Sequence, residues 1–330
     1  MAALAIPSSF ALWALPLTFI LDNRGLIRQG PIEGGRRLNG VARRGSEGSV
    51  ERQRAIHGAL SYPESPLCDG ARVYLVEYGA HALTVVDLAS GERQVIWQRS
   101  GFGPAAVARA GDGSFWLTGS DSDRLLCLDA QGLPKLEIDR DRDDRTFEAP
   151  NDLVFDDRGG LYFTASGTFS RTAPIAGCVF YHQLGGATWC VASGIHYANG
   201  VALSADRATL FVAEHLRNRV LAYPIAADRS LGLPRVFVDL ARLAPLDCEE
   251  PLLGPDGLAV TNDGRLLIAH FGGARLLVLD AAAELQQIVE LSLRYPTNVC
   301  TGSTPDTVYV TAIGENVPPH RGALIELELR

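Results

Sequence analysis

The chain has 330 residues, 47% hydrophobic and 21% charged, with a formal net charge of −8. This is the balance of an ordinary soluble globular protein, and its acidic sign excludes a surface built to neutralise nucleic-acid phosphates. The load of 34 Gly and 18 Pro favours short strands joined by turns over a helical bundle.

Residues 1–21 are apolar and uncharged, long enough to span a bilayer. They make a poor signal peptide: no Lys or Arg precedes the run, Pro7 and Pro16 interrupt it, and no small-x-small cleavage site follows. An Arg-rich tract follows (Arg24, Arg28, Arg36, Arg37, Arg43, Arg44). It suits the cytoplasmic flank of an anchor, a flexible extension, or a translation start placed upstream of the true one. Residues 1–51 are therefore set apart as an N-terminal extension. Membrane contact is expected only if residues 1–21 act as an anchor.

From about Ser61 onward one pattern recurs: apolar strand, Asp- or Gly-containing turn, second strand, gap, third strand. The second strands read RVYLVEY (72–78), SFWLTGS (114–120), GLYFTAS (160–166), TLFVAEH (209–215), RLLIAHF (265–271) and TVYVTAI (307–313). They are rich in the aromatic and β-branched residues that strands prefer. A period of roughly 42 to 56 residues is that of propeller blades, and no sustained helical periodicity competes with it. The expectation is an all-β fold over 52–330: a six-bladed β-propeller with four-stranded antiparallel blades around a central channel. The ring closes if residues 55–60 add a strand beside ALIELEL (323–329), covering an edge that would otherwise aggregate.

Two constellations are set aside. EIDRDRDD (137–144) imitates the start of a calcium loop but has Asp144 where Gly is needed and no Glu at the twelfth position; it reads as a solvated loop whose arginines neutralise its acids. The cysteines (Cys68, Cys127, Cys178, Cys190, Cys248, Cys300) are scattered with no CxxC pair. They read as mostly buried thiols, which points to a reducing, cytoplasmic setting. Neither a GxSxG elbow nor a GxGxxG after a strand is present.

Residues at the start of each innermost strand converge on the propeller axis. Aligning the repeats places there Glu64, the Gly103–Pro104 step, Asn151, Asn199, Asp256 and Asn298. Asn-Gly and Pro-Asp-Gly are also ordinary turn dipeptides, but turn chemistry does not explain Glu64 before Ser65–Pro66. Carboxylates and amides gathered in a narrow channel need a counter-charge. A hard divalent cation supplies one. Ca²⁺ suits such oxygens best, with Mg²⁺, Mn²⁺ and Zn²⁺ as alternatives, and the lack of His or Cys in the set disfavours zinc and copper.

The strings YPESPL, APNDLVF, YANGVALSAD, GPDGLAV and YPTNVCTG, in that order, resemble the SMP-30/gluconolactonase/luciferin-regenerating-enzyme family from about Ser61 to the C-terminus. FTASGTFSRTAPIAGCVFYH is similar to the Drp35-type bacterial lactonases of that group. The resemblance implies a metal-dependent lactonase with Glu64, Asn199 and Asp256 as ligands and Asn151 beside the metal in contact with substrate. It also makes Asp256 the general base. His196, in GIHYANG, is a candidate substrate contact; a packed or turn histidine is the plainer reading. Two departures put sugar-acid lactones in question: Glu148 and Ala149 stand where such enzymes tend to carry Arg, and Ala165 ends a strand that often ends in Asp. The expected partner is a small lactone. The competing readings are a non-catalytic, metal-stabilised propeller and a strictosidine-synthase-like enzyme.

Overall fold

An apolar strand with side chains on both faces has to be covered on both faces, and a ring of radially arranged sheets does this while leaving only short, protected outer edges. The computed structural model describes residues 19–21, 27–29, 53–246 and 250–330. The chain forms two compact units, Met1–Gly48 and Ser49–Arg330. In the first, Phe19–Leu21 pairs antiparallel with Ile27–Gln29. The rest of the candidate anchor and of the Arg-rich tract lies outside the described residues. No helix among the described residues is long and apolar enough to cross a membrane.

The second unit contains six four-stranded antiparallel sheets. Blades 1 to 5 occupy residues 63–98, 104–138, 150–195, 198–239 and 254–290, each with its strands in chain order from the axis outward. Blade 6 takes three strands from 295–328 and its outermost, Gln53–Ser61, from the other end of the unit. That strand pairs antiparallel with Arg321–Glu328, closing the ring as the sequence predicts. Each inner strand packs against the next, and Tyr295–Thr301 against Pro63–Asp69.

One hydrophobic cluster lies between each pair of adjacent blades. Alternation along a strand sends neighbours to different clusters: Leu266 and Ile268 pack toward blade 4, Leu267 toward blade 6. This is why the second strands read as almost unbroken apolar runs. The inner strands approach very closely, and a Cβ on Gly200 would lie 2.2 Å from the Asp256 carbonyl oxygen.

The reading of 137–144 as a solvated loop is corrected in part, since Glu137 and Ile138 end the strand Pro134–Ile138 and Asp141 is buried, while its arginines do neutralise its acids. Arg140 pairs with Asp144, and Arg145 with Asp141 and Asp143, while Asp141 accepts from the Asp143 and Arg145 amides. The cysteines correct the sequence reading. All those described are free thiols, but only Cys127 is buried; Cys68, Cys178, Cys190 and Cys300 are half-buried. They lie on strands at blade peripheries or beyond the bulges of the inner strands, where the clusters thin toward solvent. Cys248 lies outside the described residues.

Candidate functional site

The six inner strands begin in one register. Pro63 pairs with Glu77, Pro104 with Gly119, Pro150 with Ala165, Ala198 with Glu214, Pro255 with His270 and Pro296 with Ala312. Just beyond, every ladder shifts register by a bulge, which adds a residue and re-aims its neighbours. The residues after those partners form one tier: Glu64, Ala105, Asn151, Asn199, Asp256 and Thr297. Ser65, Ala106, Asp152, Gly200, Gly257 and Asn298 form the next. The sequence alignment is thus corrected at two blades. Blade 2 contributes Ala105 and not the Gly103–Pro104 step, and blade 6 contributes Thr297, with Asn298 one tier deeper.

The first tier is polar on five of its six blades, and its members meet. Asn199 lies within hydrogen-bond reach of Asp256, and Thr297 within reach of Glu64. Burial, then the nearby charges of Asp256 and Asp152, pushes the Glu64 carboxyl well above the usual carboxylate range. Burial and the charge of Asp152 do the same to Asp256. Asp152 itself is pushed up to about 7 by burial, against the backbone N–H groups it accepts from. These N–H groups belong to Leu153 at 2.9 Å and Val201 at 3.0 Å, so Asp152 bridges blades 3 and 4. Asn298, its counterpart, accepts from Val299 N at 2.7 Å.

No Lys, Arg or His forms an ion pair with Glu64 or Asp256 among the described residues. Two neighbouring carboxyls without a cation, half-buried Glu64 and buried Asp256, are the donor chemistry that a hard divalent ion satisfies. No third His, Cys, Asp or Glu joins them as a metal cluster among the described residues, so an ion here would draw its further ligands from amides and water. The Asn151 side-chain amide makes no hydrogen bond within the described chain and is half-exposed. Asn199 is buried, and its Nδ2 stands 3.2 Å from His215 Nδ1.

Threonine hydroxyls, two on second strands and one on the inner strand of blade 6, hold the backbone at this mouth. Thr164 Oγ1 donates to the Asn199 carbonyl at 2.7 Å, Thr118 Oγ1 to that of Asn151, and Thr297 Oγ1 to that of Pro63 at 2.7 Å. Each joins one blade to the next.

Tyr62 and Tyr197, two positions before Glu64 and Asn199, flank the mouth on blades 1 and 4 with left-handed backbones at φ 49° and 65°. Buried Glu77 accepts from Ser61 N, and buried Glu214 from His196 N, at 2.9 and 3.0 Å, so both loops are pinned alike. Burial and the charges of Asp256 and Glu64 raise both phenols, which stay protonated. Sequence reasoning missed the pair, although Tyr62-Pro63-Glu64 and Tyr197-Ala198-Asn199 share a spacing that could have shown it. Phe169, from the loop after the second strand of blade 3, lies 4.6 Å from the Tyr197 ring and 5.1 Å from that of His215.

His196 is placed in the loop before Asn199, with its Nε2 buried and unpartnered; no hydrogen bond joins its ring to the carboxyls. His215 and His270 are both buried, and burial lowers them to about 4 and about 3. A cavity of about 440 Å³ lies beyond the second tier, bounded by Ser65, Asp152 and Asn298 and reaching Arg109 and Arg207. It does not include Glu64, Asn199 or Asp256.

The fold and this ring of polar residues define the chain as a six-bladed propeller with a site at one mouth of its channel. Residues 62–314 match the SMP-30/Gluconolactonase/LRE-like region, and the chain belongs to that family. Lactonase drp35 of Staphylococcus epidermidis is 31% identical over 135 residues, 39% of this chain, and that of Staphylococcus haemolyticus matches to the same extent. The chain spans 38% of the length of these curated relatives. Among solved structures, a luciferin-regenerating enzyme superposes with a TM-score of 0.69 at 19% identity, covering 84% of this chain and 95% of that one. A gluconolactonase of Xanthomonas campestris gives 0.68 at 18%, covering 85% and 90%. Regucalcin of Agrobacterium tumefaciens, described as a calcium-binding protein, gives 0.67 at 20%, covering 85% and 96%.

Proposed function

We propose that the protein opens a lactone by hydrolysis with one divalent cation, calcium, held by Glu64, Asn199 and Asp256 and with Asn151 beside it. The observation that carries this reading is the meeting of two carboxyls without a basic partner, half-buried Glu64 and buried Asp256, with a held amide at the channel mouth. Membership of the gluconolactonase family, the drp35 lactonases among its relatives and the calcium-binding neighbour support it.

When bound, a divalent cation supplies Lewis-acid polarisation of the ester carbonyl and makes water a better nucleophile. The chain's residues do the rest. Asp256 accepts the proton of the attacking water and returns it to the departing alkoxide, a role that suits a carboxyl whose affinity for protons burial has increased. Asn151, its amide uncommitted, donates to the oxygen on which negative charge develops. The neutral phenols of Tyr62 and Tyr197 line the mouth as further donors, and His196 contacts the substrate from the loop before Asn199.

The test is a lactone panel, sugar-acid and aromatic, assayed on chelator-treated protein before and after adding back calcium, magnesium, manganese or zinc. The reading expects turnover that disappears with chelation and returns best with calcium. Calcium bound tightly with no turnover on any lactone would make the chain a binding propeller stiffened by its ion.

A further inference from the structure

We infer that His215 is a positioning residue that fixes the Asn199 side-chain amide with its oxygen, and not its nitrogen, toward the cation. The inference rests on the cation reading above and concerns an orientation that reading does not supply.

An amide presents an acceptor and a donor of nearly equal shape, so only its hydrogen bonds decide which one meets a ligand. His215 Nε2 lies 2.9 Å from the Leu252 carbonyl oxygen. A carbonyl only accepts, so the ring proton is on Nε2. The ring is 1% exposed and enclosed by Phe169, Tyr197 and Phe271, with centroids at 5.1, 5.8 and 5.6 Å. In that apolar cage the imidazole is neutral, and its Nδ1 carries a lone pair. That lone pair faces Asn199 Nδ2 at 3.2 Å. A flipped amide would set lone pair against lone pair.

The Asn199 amide also lies within hydrogen-bond reach of the Asp256 carboxyl. With that carboxyl ionised as an acceptor, the same nitrogen serves both partners and Oδ1 is the atom left for a ligand. The ring is also seated against the strand that carries Asp256: a Cβ on Gly254 would lie 2.1 Å from the His215 carbonyl oxygen and 2.7 Å from its Cδ2. One imidazole therefore ties the amide ligand of blade 4 to the strand bearing the carboxyl ligand of blade 5.

Calcium titration of the chelator-treated full-length chain by calorimetry tests this in two backgrounds. His215→Leu removes the acceptor and should weaken calcium binding about tenfold, the scale on which outer partners of metal ligands act. In an Asn199→Asp background the carboxylate has no wrong face, and the histidine lone pair opposes it. There His215→Leu should cost nothing or raise affinity. His215→Met, which keeps more of the ring's length, makes the same comparison if the leucine variant fails to fold. Equal losses in both backgrounds would show plain packing and overturn the inference, as would an undiminished affinity in the Asn199 background. A natural chain that binds no calcium overturns the cation reading and this inference together. Binding with equal losses overturns the inference alone.

Discussion

Two kinds of acid lie near the channel mouth of this propeller. Glu77 and Glu214 end the second strands of blades 1 and 4, at 1% and 3% exposure. Each accepts a backbone N–H and is matched by an arginine, Arg93 or Arg219. Glu64 and Asp256, at the mouth, have no such partner among the described residues. Where an acid holds a loop, the fold supplies its countercharge from the same blade, because an unpaired buried charge is costly. At the mouth no such countercharge is present among the described residues, and burial raises the proton affinity of both acids instead.

The strongest way to break the contrast is at Asp256. Asp256→Ala should lower kcat/KM by about 10³-fold, since it removes the proton acceptor and a ligand together, and calcium affinity should fall with it. Near-normal turnover of any lactone by this variant would take the base assignment away.

Next comes a difference of sign. Glu64→Gln removes an uncompensated carboxyl, so in chelator it should leave thermal stability unchanged or raise it while weakening calcium binding. Glu214→Gln strands Arg219 and loosens the loop bearing Tyr197, and should cost about 1–2 kcal/mol, discounted because that arginine is partly solvated. Parallel thermal melts decide it. Destabilisation by both variants in chelator would erase the distinction.

The pH dependence follows from the same carboxyls. In the unfolded chain they ionise near the ordinary carboxylate range, whereas in the folded chain Asp152 holds its proton to about 7, and Glu64 and Asp256 are held well above their usual values. A raised folded pKa contributes stability that is lost as pH rises through it. His182, His215 and His270 are lowered to about 4, 4 and 3; they act the other way, but only below the unfolded histidine pKa of about 6.5. Between pH 7 and 8 the histidines drop out, and the one described group acting against the carboxyls is the Cys190 thiol, lowered to about 7 chiefly by its hydrogen bond with Cys178; a Cys190→Ser background removes it. The chelated protein should lose melting temperature across that interval, and calcium should flatten the loss. A melting temperature that rises with pH in chelator would mean that these acids are ionised without help.

The sequence makes the ring legible because every second strand carries the same aromatic and β-branched pattern, and ring closure follows from the alternation in 323–329. Glu64, Asn199 and Asp256 are legible because each follows a short turn before an apolar strand. The depth of the site is not. A bulge of one extra residue in every inner strand decides which of two adjacent polar residues occupies which tier, and Thr297-Asn298 reads the same either way until Pro296 is seen opposite Ala312. Asp152 was hidden beside Asn151 for the same reason. The arginine partners of Glu77 and Glu214 lie 16 and 5 residues away in sequence, and only strand pairing reveals them.

The finest effect is expected from the hydroxyls that hold the tier from behind. Thr164 Oγ1 donates to the Asn199 carbonyl at 2.7 Å and accepts from Asp152 N at 3.0 Å, joining the residue that would bind the ion to the strand of the bridging acid. Thr164→Val keeps the shape but leaves that carbonyl and that N–H without the hydroxyl, at a cost of about 1–3 kcal/mol in stability. The Asn199 side chain stays anchored through His215, so calcium affinity should fall only about twofold to threefold, a few tenths of a kcal/mol. Thr164→Ser, which retains the hydroxyl, should recover the binding. A valine variant that loses calcium as severely as Glu64→Gln would show that the backbone of the inner strand, and not the unpaired carboxyls, sets the strength of the site.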